Sequence, residues 1–379
     1  MFASRLPGQI EPTDLARFIA ERRHGLLDLT ESNPTRAGFR YPARLILDGF
    51  QDRRMLEYDP DSLGLPAARE LIGRLQSVDP DRVLLSASTS EAYSWIFKLL
   101  CNPGDEILVP RPSYPLFELL AGLESVEVRT YSLRYHEGWF IDMESLSASF
   151  SPKTRAVVTV NPNNPTGSYL KQAEWLQLTS FCSERSCALI SDEVFGDYAL
   201  REVPDRVSAT RDGEALCFTL NGLSKLVGMP QMKLAWLVLS GPEHLRSAAK
   251  KRLEIIADTF LSVGTPVQYA LPALLEARTH IQMQINERLR NNLAIARQAL
   301  SGSAVTVLDV EAGWYIVMRV PSIKTEDEWM KLLIECGVLV QPGFFFDFEK
   351  DGFLVAGLLT APHVFEPGIK LVADLFTNI

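Results

Sequence analysis

From about residue 80 onward, short apolar runs rich in β-branched residues alternate with stretches in which apolar residues recur at helical spacing. Arg82–Leu85 predicts a strand and Ser90–Leu100 a helix, Glu106–Val109 a strand and Tyr114–Leu123 a helix, Arg155–Val160 a strand and 171–184 a helix. Ala188–Ser191, Leu216–Leu220 and Leu234–Leu239 are further apolar strands. Continuous apolar strands with helices between them belong to a parallel or mostly parallel sheet covered on both faces. Several of these strands end directly in a polar or Gly/Pro cluster. Open α/β sheets bind ligands outside the carboxyl ends of their strands. Residues 265–300 predict one long helix that opens at a proline. Beyond it the pattern changes to strands at Val305–Leu308, Trp314–Val320 and Phe353–Leu359, with helices over 325–336 and 366–377. This is an α+β pattern and predicts a second, smaller unit. The segment before about residue 35 is expected to join that unit or to reach a partner subunit.

The 379 residues are 46% hydrophobic and 22% charged, which excludes disorder and fibrous repeats and leaves room for roughly two domains. Thirty-eight Lys+Arg against 47 Asp+Glu give a net charge of −9, which argues against a nucleic-acid binder with its clustered basic face. Five cysteines, at 101, 182, 187, 217 and 336, form no CxxC pair and no Cys/His zinc spacing. Free thiols in a reducing cytosol are expected. Residues 1–18 contain no apolar core of signal-peptide length. The longest apolar runs, such as Trp236–Leu239 and Val338–Val340, fall far short of the ~20 residues of a membrane span. The expectation is a cytoplasmic protein. His24, His136, His244, His280 and His363 show no metal spacing, so no metal is expected.

Three clusters stand at strand ends: Asn161-Pro-Asn-Asn-Pro-Thr-Gly167, Ser191-Asp-Glu-Val194, and Ser224-Lys225 leading to Lys233-Leu-Ala-Trp236. Singly they read as a tight turn, a helix cap and a solvated charge. In order, with Asp192 28 residues after Asn164 and Lys225 33 after Asp192, they resemble the class I and II aminotransferases. These are the fold-type I enzymes that use pyridoxal 5′-phosphate. Tyr58, Gly64-Leu-Pro-Ala-Ala-Arg-Glu70, Ser88-Thr-Ser-Glu-Ala92, Asn102-Pro-Gly-Asp-Glu106, Pro112-Ser-Tyr-Pro115 and Pro342-Gly343 extend the resemblance over most of the chain.

The resemblance implies an α/β fold: a large domain, 41–260, with a mostly parallel seven-stranded sheet between helices, and an interdomain helix with a small α+β domain over 261–379. Residues 1–40 would contribute to the small domain and the active site. It implies that Lys225 forms the internal aldimine with the cofactor aldehyde and that its freed amine then moves the substrate Cα proton. Asp192 would keep the pyridine nitrogen protonated as an electron sink. Asn164 would donate to the ring oxygen, and Tyr114 would stack on the ring. Ser88, Thr89 and Ser90 at a helix N-terminus, with Ser224 and Lys233, would hold the phosphate. Tyr58 would reach the partner's phosphate across a homodimer interface. The partners would otherwise be a small-molecule amino donor and a 2-oxo acid or other carbonyl acceptor.

Four positions depart from the pattern. Phe195 stands where the family usually has a tyrosine that donates to the cofactor oxygen, which predicts an aldimine more protonated at neutral pH unless a group such as Tyr198 substitutes. Gly222 replaces a serine and Lys233 an arginine at the phosphate, which predicts weaker cofactor retention, because lysine lacks the bidentate fork. Near the C-terminus the carboxylate-gripping arginine is absent: Val355 aligns there, and no Arg follows Arg319. Arg36 or Arg40 would then bind a substrate carboxylate, or the substrate amine lacks one, or the cofactor reaction differs. Tyr41, Trp139 and Phe344–Phe346 are read as core packing ahead of an apolar pocket. An aminotransferase is the first reading. A lyase, decarboxylase, oxidase or synthase on the same scaffold stays open, as does a non-enzymatic relative.

Overall fold

The computed structural model describes residues 3, 5, 6 and 11–377, so the expectations about residues 1–18 and the start of the 1–40 segment fall partly outside it. A two-residue strand, β1 (Leu27–Asp28), comes first. Eight strands then form one sheet: β2 (Val83–Ser86), β3 (Glu106–Arg111), β4 (Glu127–Tyr135), β5 (Trp139–Ile141), β6 (Thr154–Val160), β7 (Ala188–Asp192), β8 (Cys217–Gly222) and β9 (Ala235–Ser240). Their order is β2-β9-β8-β7-β6-β3-β4-β5. The pairs among β4, β3, β6, β7 and β8 are parallel, while β9 runs antiparallel to both β8 and β2. The seven expected strands are therefore eight. The extra one, β5, folds back antiparallel onto β4 as a hairpin at the sheet edge.

Alternation within each strand sends neighbours to opposite faces. Ala156, Val158, Ala188 and Ile190 pack under the helices Thr89–Leu100 and Glu243–Phe260. Val157 and Leu189, one position away, pack with Trp175, Leu178 and Phe181 of the helix Gln172–Glu184. Both faces are covered, which is why the strands read as unbroken apolar runs. The helix expected over Tyr114–Leu123 starts later, at Phe117. Tyr114 precedes Pro115, and a residue before proline is pushed out of the helical region.

The smaller sheet contains β10 (Thr306–Val307), β11 (Tyr315–Arg319), β13 (Gln341–Pro342) and β14 (Phe353–Gly357), all antiparallel in the order β10-β11-β14-β13. β1 pairs in parallel with β12 (Val338–Leu339), so Leu27 lies opposite Val338. The helix Thr265–Ala299, 35 residues and about 52 Å long at 1.5 Å per residue, runs through the main core. Its polar side chains tie loops together: Gln268 accepts from the Leu65 N–H, and Asn292 donates to the Leu358 and Thr360 carbonyls. No described helix is long and apolar enough to cross a membrane.

Candidate active site

The parallel strands deliver their polar ends to one edge of the large sheet. Ser88 follows β2, Tyr114 follows β3, Asn164 follows β6, Asp192 ends β7, and Lys225 follows β8. Antiparallel β9 begins at the same edge just after Lys233. Ser88, Thr89, Ser90, Tyr114, Asn164, Asp192, Ser224, Lys225 and Lys233 all line one cavity of about 320 Å³. Sequence spacing separates them by up to 145 residues, and the sheet brings them together.

The floor of the cavity is set by a half-buried acid and a half-buried base. The Asp192 carboxylate accepts from the Tyr93 hydroxyl at 3.3 Å and from the Val194 N–H at 3.3 Å. Burial pushes its pKa up to about 6, and the Lys225 charge opposes this only in part. Burial acts on Lys225 in the converse sense and lowers its pKa, against the pull of Asp192. Its carbonyl accepts from the Tyr198 hydroxyl at 2.5 Å. Tyr198 is thereby committed to the backbone, lies outside the cavity lining, and does not take the place of the missing phenol at Phe195.

The Asn164 turn is held from within. Asn163 Oδ1 accepts from the Thr166 N–H at 3.2 Å and from its hydroxyl at 2.9 Å. Gly167 has φ +74°, and a Cβ there would lie 2.3 Å from the Ala312 carbonyl oxygen. Only glycine allows the turn to sit this close to the segment entering β11. Asn164 Oδ1 is buried and has no partner among the described residues. At the other end of the cavity Ser88 caps the helix Thr89–Leu100, accepting from the Glu91 N–H at 3.1 Å. The N–H groups of a helix's first turn have no intrahelical acceptor, so this end offers donors to an anion. Lys233 adds the cation there.

Residues 27–355 match the family described as "Aminotransferase class I and II". The chain belongs to this family. Among aminotransferases of known identity it is similar to the Escherichia coli K12 glutamate-pyruvate aminotransferase AlaA, with 27% identity over 69% of this chain and 66% of that protein. It is similar to a Mycobacterium tuberculosis alanine aminotransferase at 28% identity, over 70% of this chain and 64% of that one. The chain thus spans just under two thirds of the length of these aminotransferases. In fold it is similar to an aminotransferase from Escherichia coli, with a TM-score of 0.85, 24% identity and coverage of 100% of this chain and 98% of that one. An alanine aminotransferase from Pyrococcus furiosus gives a TM-score of 0.84 at 23% identity, over 96% and 95% of the two chains.

Class I and II aminotransferases use pyridoxal 5′-phosphate, and the residues present fit that group. Asp192 is a half-buried carboxylate with no ion-pair partner within 4 Å among the described residues, and a protonated ring nitrogen would satisfy it. Asn164 lines the cavity, and its side-chain N–H is the kind of donor that the ring oxygen of such a group would accept from. The helix N-terminus with Lys233 suits a phosphate.

The other expectations fare differently. Tyr58 is 85% exposed and lies on a neighbouring cavity with Ser262 and Gly264, away from Lys225. Arg36 and Arg40 are exposed and outside the cavity lining, although Ser32, four residues before Arg36, is part of it. Val355 is fully buried on β14 among Trp139, Val317, Phe346 and Phe348, so it forms core and no part of the cavity wall. Trp139 and Phe346 pack in that cluster as read. Phe344 and Phe345 instead remain about half exposed and line a separate cavity of about 170 Å³. Tyr41 donates to the Gly228 carbonyl at 2.7 Å. Sequence reasoning missed Tyr93, Ser32, Tyr315 and Trp314. Tyr93 directly follows the Ser88–Ala92 motif, and nothing in the sequence marks it as the Asp192 partner. Tyr315 was legible only as a strand residue.

Proposed function

We propose that the protein is a pyridoxal-phosphate-dependent aminotransferase that moves an amino group between a small-molecule donor and a carbonyl acceptor. The observation that carries this reading is Asp192 and Lys225 sharing one cavity whose far end is a helix N-terminus suited to an anion. When bound, the cofactor supplies the electron sink. Lys225 tethers it and, once freed, carries a proton to and from the substrate carbon. Asp192 holds a proton at the facing ring nitrogen. Ser88, Thr89, Ser90, Ser224 and Lys233 bind the phosphate, Asn164 orients the ring through its oxygen, and Tyr114 covers the ring face. The two cations in the lining, Lys225 and Lys233, are both assigned to the cofactor. A substrate carboxylate then requires Arg36 or Arg40 to move inward, or the partner subunit to supply a cation.

A homodimer belongs to the same reading. Tyr58 is 85% and Leu56 84% exposed, and Tyr58 shares its cavity with the apolar Leu261. Tyr58 would there meet the partner's phosphate. The division into 1–40, 41–260 and 261–379 is proposed with it, supported by the separation of the eight-stranded sheet from the four-stranded one. A cytoplasmic location is proposed on the five free thiols.

The test is a spectroscopic titration of the loaded protein with amino acids and with amines lacking a carboxylate, without acceptor. Accumulation of pyridoxamine phosphate with any donor supports amino transfer. Turnover of a substrate with no pyridoxamine phosphate overturns it in favour of a lyase, decarboxylase, oxidase or synthase.

A further inference from the structure

The Lys225 ammonium is seated against two aromatic rings. Its Nζ lies 4.9 Å from the centroid of Trp314 and 5.5 Å from that of Phe195. The two rings meet edge to face, with centroids 5.2 Å apart and planes at 69°. Tyr198 closes on Trp314 from a further side at 5.1 Å. Trp314 is 1% exposed, so its ring has no room to swing into solvent. Its indole N–H has no partner among the described residues, so packing alone holds the ring in place. The turn before it fixes its backbone: Gly313 has φ +89°, and its N–H donates to the Tyr198 carbonyl. The same segment, at Ala312, meets Gly167 of the Asn164 turn. Trp314 is thus set by the loops that carry the rest of the site.

The charges around Lys225 are few. Asp192 faces it, and Lys233 lines the same cavity. The phenols of Tyr93, Tyr114 and Tyr315 line it too, and burial raises the pKa of each, so all three are neutral at physiological pH. A cation near an aromatic face is attracted by the ring quadrupole, the more so where water is excluded.

We propose that Phe195 and Trp314 form an aromatic seat that holds the Lys225 nitrogen in its cationic form and in place at the cavity floor, and so are positioning residues that act through Lys225. The inference deepens the pyridoxal-phosphate reading and rests on it for what the loaded site does. Its physical content is already present in the cofactor-free protein.

The test uses both forms. In the cofactor-free protein, the pKa of Lys225 is read from the pH dependence of its rate of reductive methylation, followed by peptide mass spectrometry. In the loaded protein, the midpoint is read from visible absorbance against pH. Trp314→Leu keeps the apolar surroundings and removes the face, so both midpoints fall by about one pH unit. Trp314→Phe keeps a face and restores most of the shift. A folded Trp314→Leu variant whose cofactor-free midpoint is unchanged or higher overturns the proposal. Should Trp314→Leu fail to fold, Phe195→Leu takes the same readout with the same criterion. If wild-type protein forms no visible adduct at Lys225, the functional reading fails, and the cofactor-free titration still decides the aromatic seat.

Discussion

Burial lifts the Asp192 carboxyl from its ordinary 3.8 to about 6. A folded-state pKa above the unfolded one means that the folded protein holds the extra proton between these values. The contribution of Asp192 to stability is therefore present at low pH and lost as pH rises through about 6, where the buried charge costs about 3 kcal/mol in the cofactor-free protein. Cofactor-free Asp192→Asn should melt several degrees above wild type at pH 8, with the gap closing by pH 4, in differential scanning calorimetry. The buried Glu193 beside it is common to both proteins, so the difference isolates Asp192. The same variant should retain cofactor poorly on dialysis. Lys225→Ala should remove borohydride labelling and lower turnover by at least ~10²-fold, with the circular-dichroism spectrum unchanged. Gly222 carries a subtler message. A Cβ there would lie 2.8 Å from the Ala235 Cβ and 3.0 Å from the Ala235 Cα, so the serine usual in the family has no room. Gly222→Ser alone should weaken cofactor retention, and pairing it with Ala235→Gly should recover it. The chemically marked residues Lys225, Asp192 and Asn164 were legible in the sequence, because each sits in a motif at a strand end. Tyr93 and Trp314 were not, because what makes them matter is proximity across the sheet.

At the scale of elements, the core strands of the large sheet were readable because both of their faces are buried. β4 was not: only Tyr131 in it is buried, and Glu127, Arg129 and Arg134 are exposed. Unbroken apolar runs do not mark so polar a strand, nor the edge strand β5 that pairs with it. The helix Glu243–Phe260 was passed over as well. It buries only Ala249, Leu253 and Ala257, a narrow stripe on a charged helix. The corner before β14 is held by a device that no motif announced. Glu326 is 1% exposed and accepts from the Phe344 N–H at 2.7 Å and from the Phe353 N–H at 3.0 Å. Glu326→Ala leaves both donors without their acceptor and should cost about 2–4 kcal/mol in denaturant unfolding. Glu326→Gln, which keeps one acceptor, should cost less. Amide exchange at Phe344 and Phe353 should rise selectively in the alanine variant.

For the whole molecule, the decisive expectation is assembly. Sedimentation of the loaded protein should give twice the mass of the chain, and Tyr58→Ala should lower cofactor retention while the lone-chain fold is kept, since Tyr58 touches nothing in its own Lys225 cavity. A monomer with full cofactor occupancy would dismiss the dimer. The sequence pattern alone made the two sheets visible as a change of pattern after the long helix, but not the way the chain closes on itself, because pairing over such distances leaves no local trace. The Leu27 N–H donates to the carbonyl of Gly337, 310 positions later, and the Leu29 carbonyl takes the Gly357 N–H. During synthesis the large sheet can assemble as soon as β9 has left the ribosome, while β1 waits unpaired for β12. A translation arrest placed between the two should release a protein whose large sheet resists protease and whose first strand is cut. Joining the N-terminal segment to the end of the chain by circular permutation should remove that wait.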